Sequence, residues 1–156
     1  MPDSKNSPFQ KRSDLEKARA SALASLSLRE HSILELREKL KRKGYELESI
    51  DVVIHECIDS NYLNDMRYAE IYWRQRSSKG YGPQRIQAEL KQKGVSSSDI
   101  NKSSVQPDLD FVEVIQRIYK KKFEDRPVVD FKDKLKRQNY LYQRGFDRDL
   151  IETVIK

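Results

Sequence analysis

Three glycines constrain this chain more than any other residues do. Gly44, Gly94 and Gly145 each follow a leucine by four residues (Leu40, Leu90, Leu141) and precede an apolar residue (Tyr45, Val95, Phe146). Each also stands six residues ahead of an isoleucine: Ile50, Ile100 and Ile151. The intervals between the glycines are 50 and 51 residues, so the chain reads as a tandem repeat and has to be folded as one. A helix commonly ends where a glycine turns left-handed and the next apolar residue packs back on the last turn. Each Leu-x-x-x-Gly unit is therefore a helix C-terminus: Gly44, Gly94 and Gly145 are structural helix ends.

The flanking sequence supplies the rest of each unit. In "SILELREKL", Ile33, Leu36 and Leu40 fall on one helical face, and Ser32 with Glu35 has capping-box spacing. Downstream, Ile50, Val53, Ile54 and Cys57 continue an apolar stripe, which makes Cys57 a small core residue. Extended along the chain, the pattern predicts nine helices in three units. They lie near Asp14–Ser27, Ile33–Lys43 and Glu48–Asp59, then Asp65–Ser78, Pro83–Lys93 and Ser97–Ser104, then Leu109–Phe123, Val129–Arg144 and Arg148–Ile155. The expected organisation is a disordered tail over 1–12 and three-helix repeats over 13–61, 62–106 and 107–156. Apolar residues are only 37% of the chain and charged residues 36%, which leaves too little for one thick core. The fold class is thus all-α, a tandem array of three three-helix repeats, elongated and curved.

The stretch "SSKGYGPQRI" tests that reading, since clustered glycines also cradle phosphates. A nucleotide-binding glycine loop follows a strand and, in its P-loop form, runs on into Gly-Lys-Ser/Thr. Here a helical segment precedes it and the lysine comes first. Gly80, Gly82 and Pro83 are instead a joint between helices, with Pro83 at a favoured first-turn position. Tyr81, between the two glycines, is either a packing plug or an exposed contact.

No constellation for catalysis emerges. His31 and His55 lack cysteine or carboxylate neighbours at metal-ligand spacing. Cys57, the single cysteine, has no histidine placed to activate it and no partner for an intramolecular disulfide, which suits a reducing compartment. The pairs Glu46 with Glu48 and Asp147 with Asp149 stand at helix starts, where negative charge is favoured for structural reasons. The expectation is a non-enzyme with no cofactor and no metal. No segment approaches the roughly 18 to 20 apolar residues of a membrane span, and no signal-peptide stretch opens the chain, so a cytoplasmic protein with no membrane contact is expected.

Charge is more telling. The formal net charge is +6, which favours nucleic acid or an acidic protein surface as partner. From Gly44 to Met66 there are six acids and no lysine or arginine, whereas Arg67 to Lys93 carries seven cations against Glu70 and Glu89. The candidate partner and DNA-binding face is Arg67, Arg74, Arg76, Lys79, Arg85, Lys91 and Lys93, with Lys120, Lys121, Lys122, Lys132 and Lys136 of the third unit in support. Aromatic residues interleave with these cations in "RYAEIYWRQR". The stripe of Met66, Ala69, Tyr72 and Trp73 places Tyr72 and Trp73 in the core and leaves Tyr68 outside with the arginines.

Together, "LREHSILELREKLKRKGY", "YLNDMRYAEIYWRQRSSKGYGPQRIQAELKQKGV" and "YLYQRGFDRDLIETVI" resemble the RecX family, bacterial regulators of the RecA recombinase. The third unit departs at position 137, an arginine where Leu36 and Ile86 occupy the equivalent places. The resemblance implies a small, non-enzymatic helical protein that binds the RecA nucleoprotein filament along its groove. Such binding restrains filament extension and lowers ATP hydrolysis, strand exchange and coprotease activity. It further implies a role in recombinational DNA repair and the SOS response, with weaker, salt-sensitive contact to single- and double-stranded DNA by a monomer. The alternative is a general basic DNA-binding protein that acts by competing for DNA.

Overall fold

The computed structural model describes residues 7–156, and every regular element among them is helical. The order is α1 (Pro8–Leu28), α2 (Ile33–Arg42), α3 (Leu47–Asp59), α4 (Asp65–Ser78), α5 (Pro83–Gln92), α6 (Ser97–Ser103), α7 (Phe111–Phe123), α8 (Phe131–Gln143) and α9 (Arg148–Glu152). Two compact units result: one runs to Tyr68 and includes Lys93–Val95, and the other comprises Ala69–Gln92 and Ser96–Lys156.

In the first unit, α3 packs against both α1 and α2. Its core is Ala18 and Ala22 of α1, Leu36 and Leu40 of α2, Ile50, Val53, Ile54 and Cys57 of α3, and Leu63. The alanines stand one turn apart and let the helices approach closely. Ser32 and Glu35 form the expected capping box at the start of α2, with the Glu35 N–H donating to Ser32 Oγ at 3.1 Å. The Arg19 guanidinium grips the Glu56 carboxylate through two bonds of 2.7 and 2.8 Å and ties α1 to α3. Burial pushes the Cys57 thiol above its ordinary pKa, as suits a core residue rather than a nucleophile.

The tail expected over residues 1–12 needs correction. Residues 1–6 lie outside the described residues, but α1 begins at Pro8, six residues before Asp14. The cause is local: the Ser7 hydroxyl accepts the Gln10 N–H at 3.1 Å and Pro8 occupies the first helical turn. α1 buries only Ala18, Ala22 and Ser25, so its early turns carry no apolar stripe to reveal them. Smaller shifts follow the same capping logic. Asp110 and Asp130 cap α7 and α8, which therefore begin two residues later than Leu109 and Val129.

The second unit is centred on Trp73, which is 1% exposed. Its indole N–H donates to Ser103 Oγ at 3.0 Å and to the Ile100 carbonyl at 3.3 Å, and its ring meets Phe111 edge-on at 5.9 Å. One side chain thus pins α4 to α6 and α7. Trp73→Phe should cost about 1–2 kcal/mol, the net worth of a buried hydrogen bond plus the lost ring volume, as read by urea denaturation. Val114, Ile115, Ile118, Leu141, Phe146, Ile151 and Ile155 form the apolar cluster of α7 to α9.

Two side chains depart from the expected packing. Tyr68 is buried rather than outside, because the buried row of α4 is Ala69, Trp73 and Ser77 at four-residue spacing and Tyr68 lies beside its start. Tyr72 is only half-buried, its hydroxyl 3.2 Å from Glu89, and burial followed by that carboxylate raises its pKa.

Arg137 is a further departure from a simple apolar repeat, and it is resolved by hydrogen bonding. Only 4% exposed, it donates to the Tyr119 hydroxyl at 2.7 Å, the Arg126 carbonyl at 2.8 Å and the Pro127 carbonyl at 3.2 Å. Asp133 accepts its Nε–H at 3.2 Å, and the guanidinium lies 4.9 Å from the Phe123 ring centre. An arginine replaces a leucine here because the extended loop between α7 and α8 turns its carbonyls inward.

Candidate partner-binding surface

Within the second unit, the joint between α4–α5 and α8–α9 is made by main chain. Gly80 (φ +91°) lets the Tyr81 N–H reach the Arg76 carbonyl at 3.1 Å. Gly145 (φ +101°) repeats the turn, with the Phe146 N–H on the Leu141 carbonyl at 3.2 Å. These two turned helix ends then dock: the Gly82 N–H donates to the Arg144 carbonyl at 2.8 Å and the Gln84 N–H to the Gly145 carbonyl at 3.0 Å. Pro83 opens α5 immediately beside them, while Gly44 and Gly94 end α2 and α5 with φ of +89° and +81°.

Tyr81 is the plug of this joint. Three guanidiniums surround its ring, Arg76 at 4.0 Å, Arg85 at 4.3 Å and Arg144 at 4.5 Å. Arg144 also donates to the carbonyls of Lys79 and Gly80, and Arg117 to those of Ser77 and Ser78. Arg117 satisfies the last carbonyls of α4 and Arg144 those of the turn that follows it, at a helix C-terminus where cations are favoured. Neither role could be read from residue spacing, since the partners lie 39 to 65 residues away.

The expected basic face divides between the two units. Arg67 and Lys93 belong to the first and the other ten residues to the second. Four of the set meet carboxylates within the protein. Arg67 donates to Glu30 at 2.7 Å and to the Asn61 carbonyl at 2.9 Å; Arg76 grips Glu89 through two bonds of 2.9 Å. Arg85 lies 3.6 Å from Glu89, and Lys93 3.8 Å from Glu35. Arg74 is exposed and donates to Gln106 at 2.9 Å. The acidic stretch is likewise drawn upon: Glu56 meets Arg19, Asp51 meets Arg37, and Asp65 accepts the Ile33 N–H at 2.8 Å.

Lys79, Lys91, Lys120, Lys121, Lys122, Lys132 and Lys136 are exposed and have no carboxylate ion-pair partner among the described residues. Lys122, Lys132 and Lys136 converge on one cleft of about 540 Å³ between the end of α7 and α8, with Phe123, Leu135 and Tyr140 in its lining. Lys120 and Lys121 share the last turn of α7 but do not line it.

His31 is a buried residue of the interior. It is 1% exposed with Nδ1 3.0 Å from the Arg29 carbonyl, and burial lowers its pKa, so it stays neutral at physiological pH.

Helix pairs closed by glycine turns and repeated in tandem along the chain define a helical-repeat protein. The chain belongs to the RecX family. The profiles of the RecX first, second and third three-helix domains match residues 18–57, 64–103 and 108–155 in order. The regulatory protein RecX of Legionella pneumophila (strain Corby) is 38% identical over 142 residues, covering 91% of this chain and 95% of its own. That of Vibrio campbellii is 39% identical over 138 residues, with 88% and 89% covered. The crystal structure of RecX from Lactobacillus salivarius superposes with a TM-score of 0.79 at 26% identity, over 92% of this chain and 96% of that one.

Proposed function

We propose that this protein is a cytoplasmic, monomeric, non-enzymatic regulator that binds the RecA nucleoprotein filament. It restrains filament extension and lowers ATP hydrolysis, strand exchange and coprotease activity, and so modulates recombinational repair and the SOS response. The observation that carries the reading is the uninterrupted series of three RecX domains from residue 18 to residue 155. A regulator of this kind needs no catalytic group. It acts by binding one state of its target more tightly than another, and the shift it causes is limited by that difference in affinity.

The lysines without ion-pair partners favour a second reading, a basic protein that competes for DNA. Titration into single-strand-DNA-dependent ATP hydrolysis by RecA separates the two. A second DNA-dependent ATPase serves as control, at a salt concentration where the protein's own binding to bare DNA is negligible. Loss of RecA hydrolysis at substoichiometric protein, with the control ATPase untouched, is the expected result. Equal inhibition of both enzymes would instead assign the effect to DNA coating.

A further inference from the structure

We infer that the cleft between α7 and α8 is a binding site for single-stranded nucleic acid, with Lys122, Lys132 and Lys136 on the phosphates and Phe131 as a stacking platform. The inference rests on the filament reading for its setting, since it assigns the nucleic-acid strand, rather than a protein subunit, to this face.

The charge of the cleft is one-signed. Its lining holds three lysines and the neutral Phe123, Leu135, Asn139, Tyr140 and Gln143, with no carboxylate. The C-terminal end of α7 opposes an anion with roughly half an elementary charge, and three ammonium groups outweigh it. Lys132 makes a further point. It stands in the first turn of α8, the positive end of that helix, where a cation is unfavourable for stability. Lys132 and Lys136 also border a neighbouring cleft with Asp130 and Asp133, but Lys132 is exposed and makes no ion pair with either, so its ammonium is open to an outside anion.

The apolar groups select the kind of polyanion. Phe131 is 73% exposed and stands one turn before Leu135 on the same stripe of α8, and Leu135 lines the cleft at 41% exposure. Tyr140 lies inside the cleft with the Lys122 ammonium 5.3 Å from its ring centre. Lysines that track a backbone beside an open aromatic ring suit a strand whose bases are unpaired, because a duplex keeps its ring faces stacked on one another. An acidic protein segment would use the lysines and leave the exposed ring without a counterpart.

Fluorescence anisotropy of a labelled oligothymidylate with the full chain tests this. The variant K122Q/K132Q/K136Q should bind about tenfold or more weakly, and its slope of log affinity against log salt should be shallower by about 2, at about 0.7 per single-strand phosphate. K122R/K132R/K136R should retain binding. K17Q/K41Q/K102Q, which removes equal charge from exposed positions elsewhere, should keep the wild-type slope. Phe131→Ala should weaken the single strand more than a duplex of the same length. Equal behaviour of the two glutamine triples would overturn the site, and so would displacement of the oligonucleotide by polyglutamate at equal charge concentration. The RecA assay on the same proteins keeps the two readings apart. Wild type that inhibits RecA while the site triple binds DNA unchanged defeats this inference alone. Wild type that leaves RecA untouched while the site triple loses DNA defeats the filament reading alone.

Discussion

Gly82→Ala is expected to destabilise the second unit by about 3–5 kcal/mol. A β-carbon at Gly82 would overlap the Gly145 carbonyl and lie 2.7 Å from the Phe146 nitrogen. All of these are backbone atoms, so no side chain can swing away. The joint has to open, which releases the Gly82 to Arg144 and Gln84 to Gly145 hydrogen bonds. Overpacking of a closed contact costs about 1–3 kcal/mol, and each net hydrogen bond adds about 1 kcal/mol. Gly44 supplies the control. It has φ +89°, and a β-carbon there would meet nothing within 4 Å, so Gly44→Ala should cost only the about 1–2 kcal/mol of a left-handed L-residue. Urea denaturation reports both: fluorescence of Trp73, the only tryptophan, follows the second unit, and circular dichroism follows the whole chain. Equal losses for the two substitutions would show that the joint is not held by main-chain contact.

The contrast between Gly82 and Gly44 also shows what the sequence makes legible. The repeat register is readable because a glycine helix end is a local event, set by one residue and its neighbours. Helix starts are equally local, and Ser32, Asn64 and Pro83 make α2, α4 and α5 begin at the expected residues Ile33, Asp65 and Pro83. The docking of Gly82 on Gly145 is not readable, since it joins residues 63 positions apart through backbone atoms that carry no side-chain signature. Tyr68 fails for a related reason. A helical stripe read from Met66, Ala69 and Trp73 fixes a face only to within one residue, and neighbours across the fold decide its edge. The early start of α1 is legible in Ser7 and Pro8, but a helix with two buried alanines lacks the apolar period that draws attention to such a cap.

The basic face is legible as composition and not as geometry. Arginine and lysine look alike in a charge count, yet they divide here by use. Arg67, Arg76 and Arg85 spend planar, multiply bonded guanidiniums on Glu30, Glu89 and backbone carbonyls. The lysines of α7 and α8 stay at the surface, and three of them meet in one cleft. Arg117 and Arg144 carry as much structural work as Arg76 but are invisible as such, because a cation that caps a distant helix leaves no spacing to find.

Arg137→Leu carries the other large expected effect, although leucine is the residue that the first repeat holds at this place. In the first repeat Leu36 meets an apolar core, whereas position 137 faces two inward carbonyls, a phenol and a carboxylate. Leucine would remove the guanidinium donor from the Arg126 and Pro127 carbonyls and from Asp133, and partly buried acceptors stripped of such a partner destabilise a fold more than the added apolar contact restores. The melting temperature should fall by several degrees. Arg137→Lys should recover part of the loss, since one ammonium can reach some of these acceptors but cannot copy the fork. Acid unfolding supplies an independent signature. The Val129 N–H, and after it Arg137, hold the Asp133 carboxyl below the usual aspartate range. A group with a depressed folded pKa adds stability that is present above its unfolded value, about 3.9, and is lost as pH falls through the folded value. Without Arg137 the Val129 N–H and the smaller pull of the Lys136 charge remain, so the folded pKa moves up toward the unfolded one and acid unfolding begins at higher pH. Circular dichroism followed from pH 7 downward measures this midpoint. A leucine variant with wild-type melting and an unchanged acid midpoint would mean that the loop carbonyls find other donors and that Arg137 is dispensable to the third repeat.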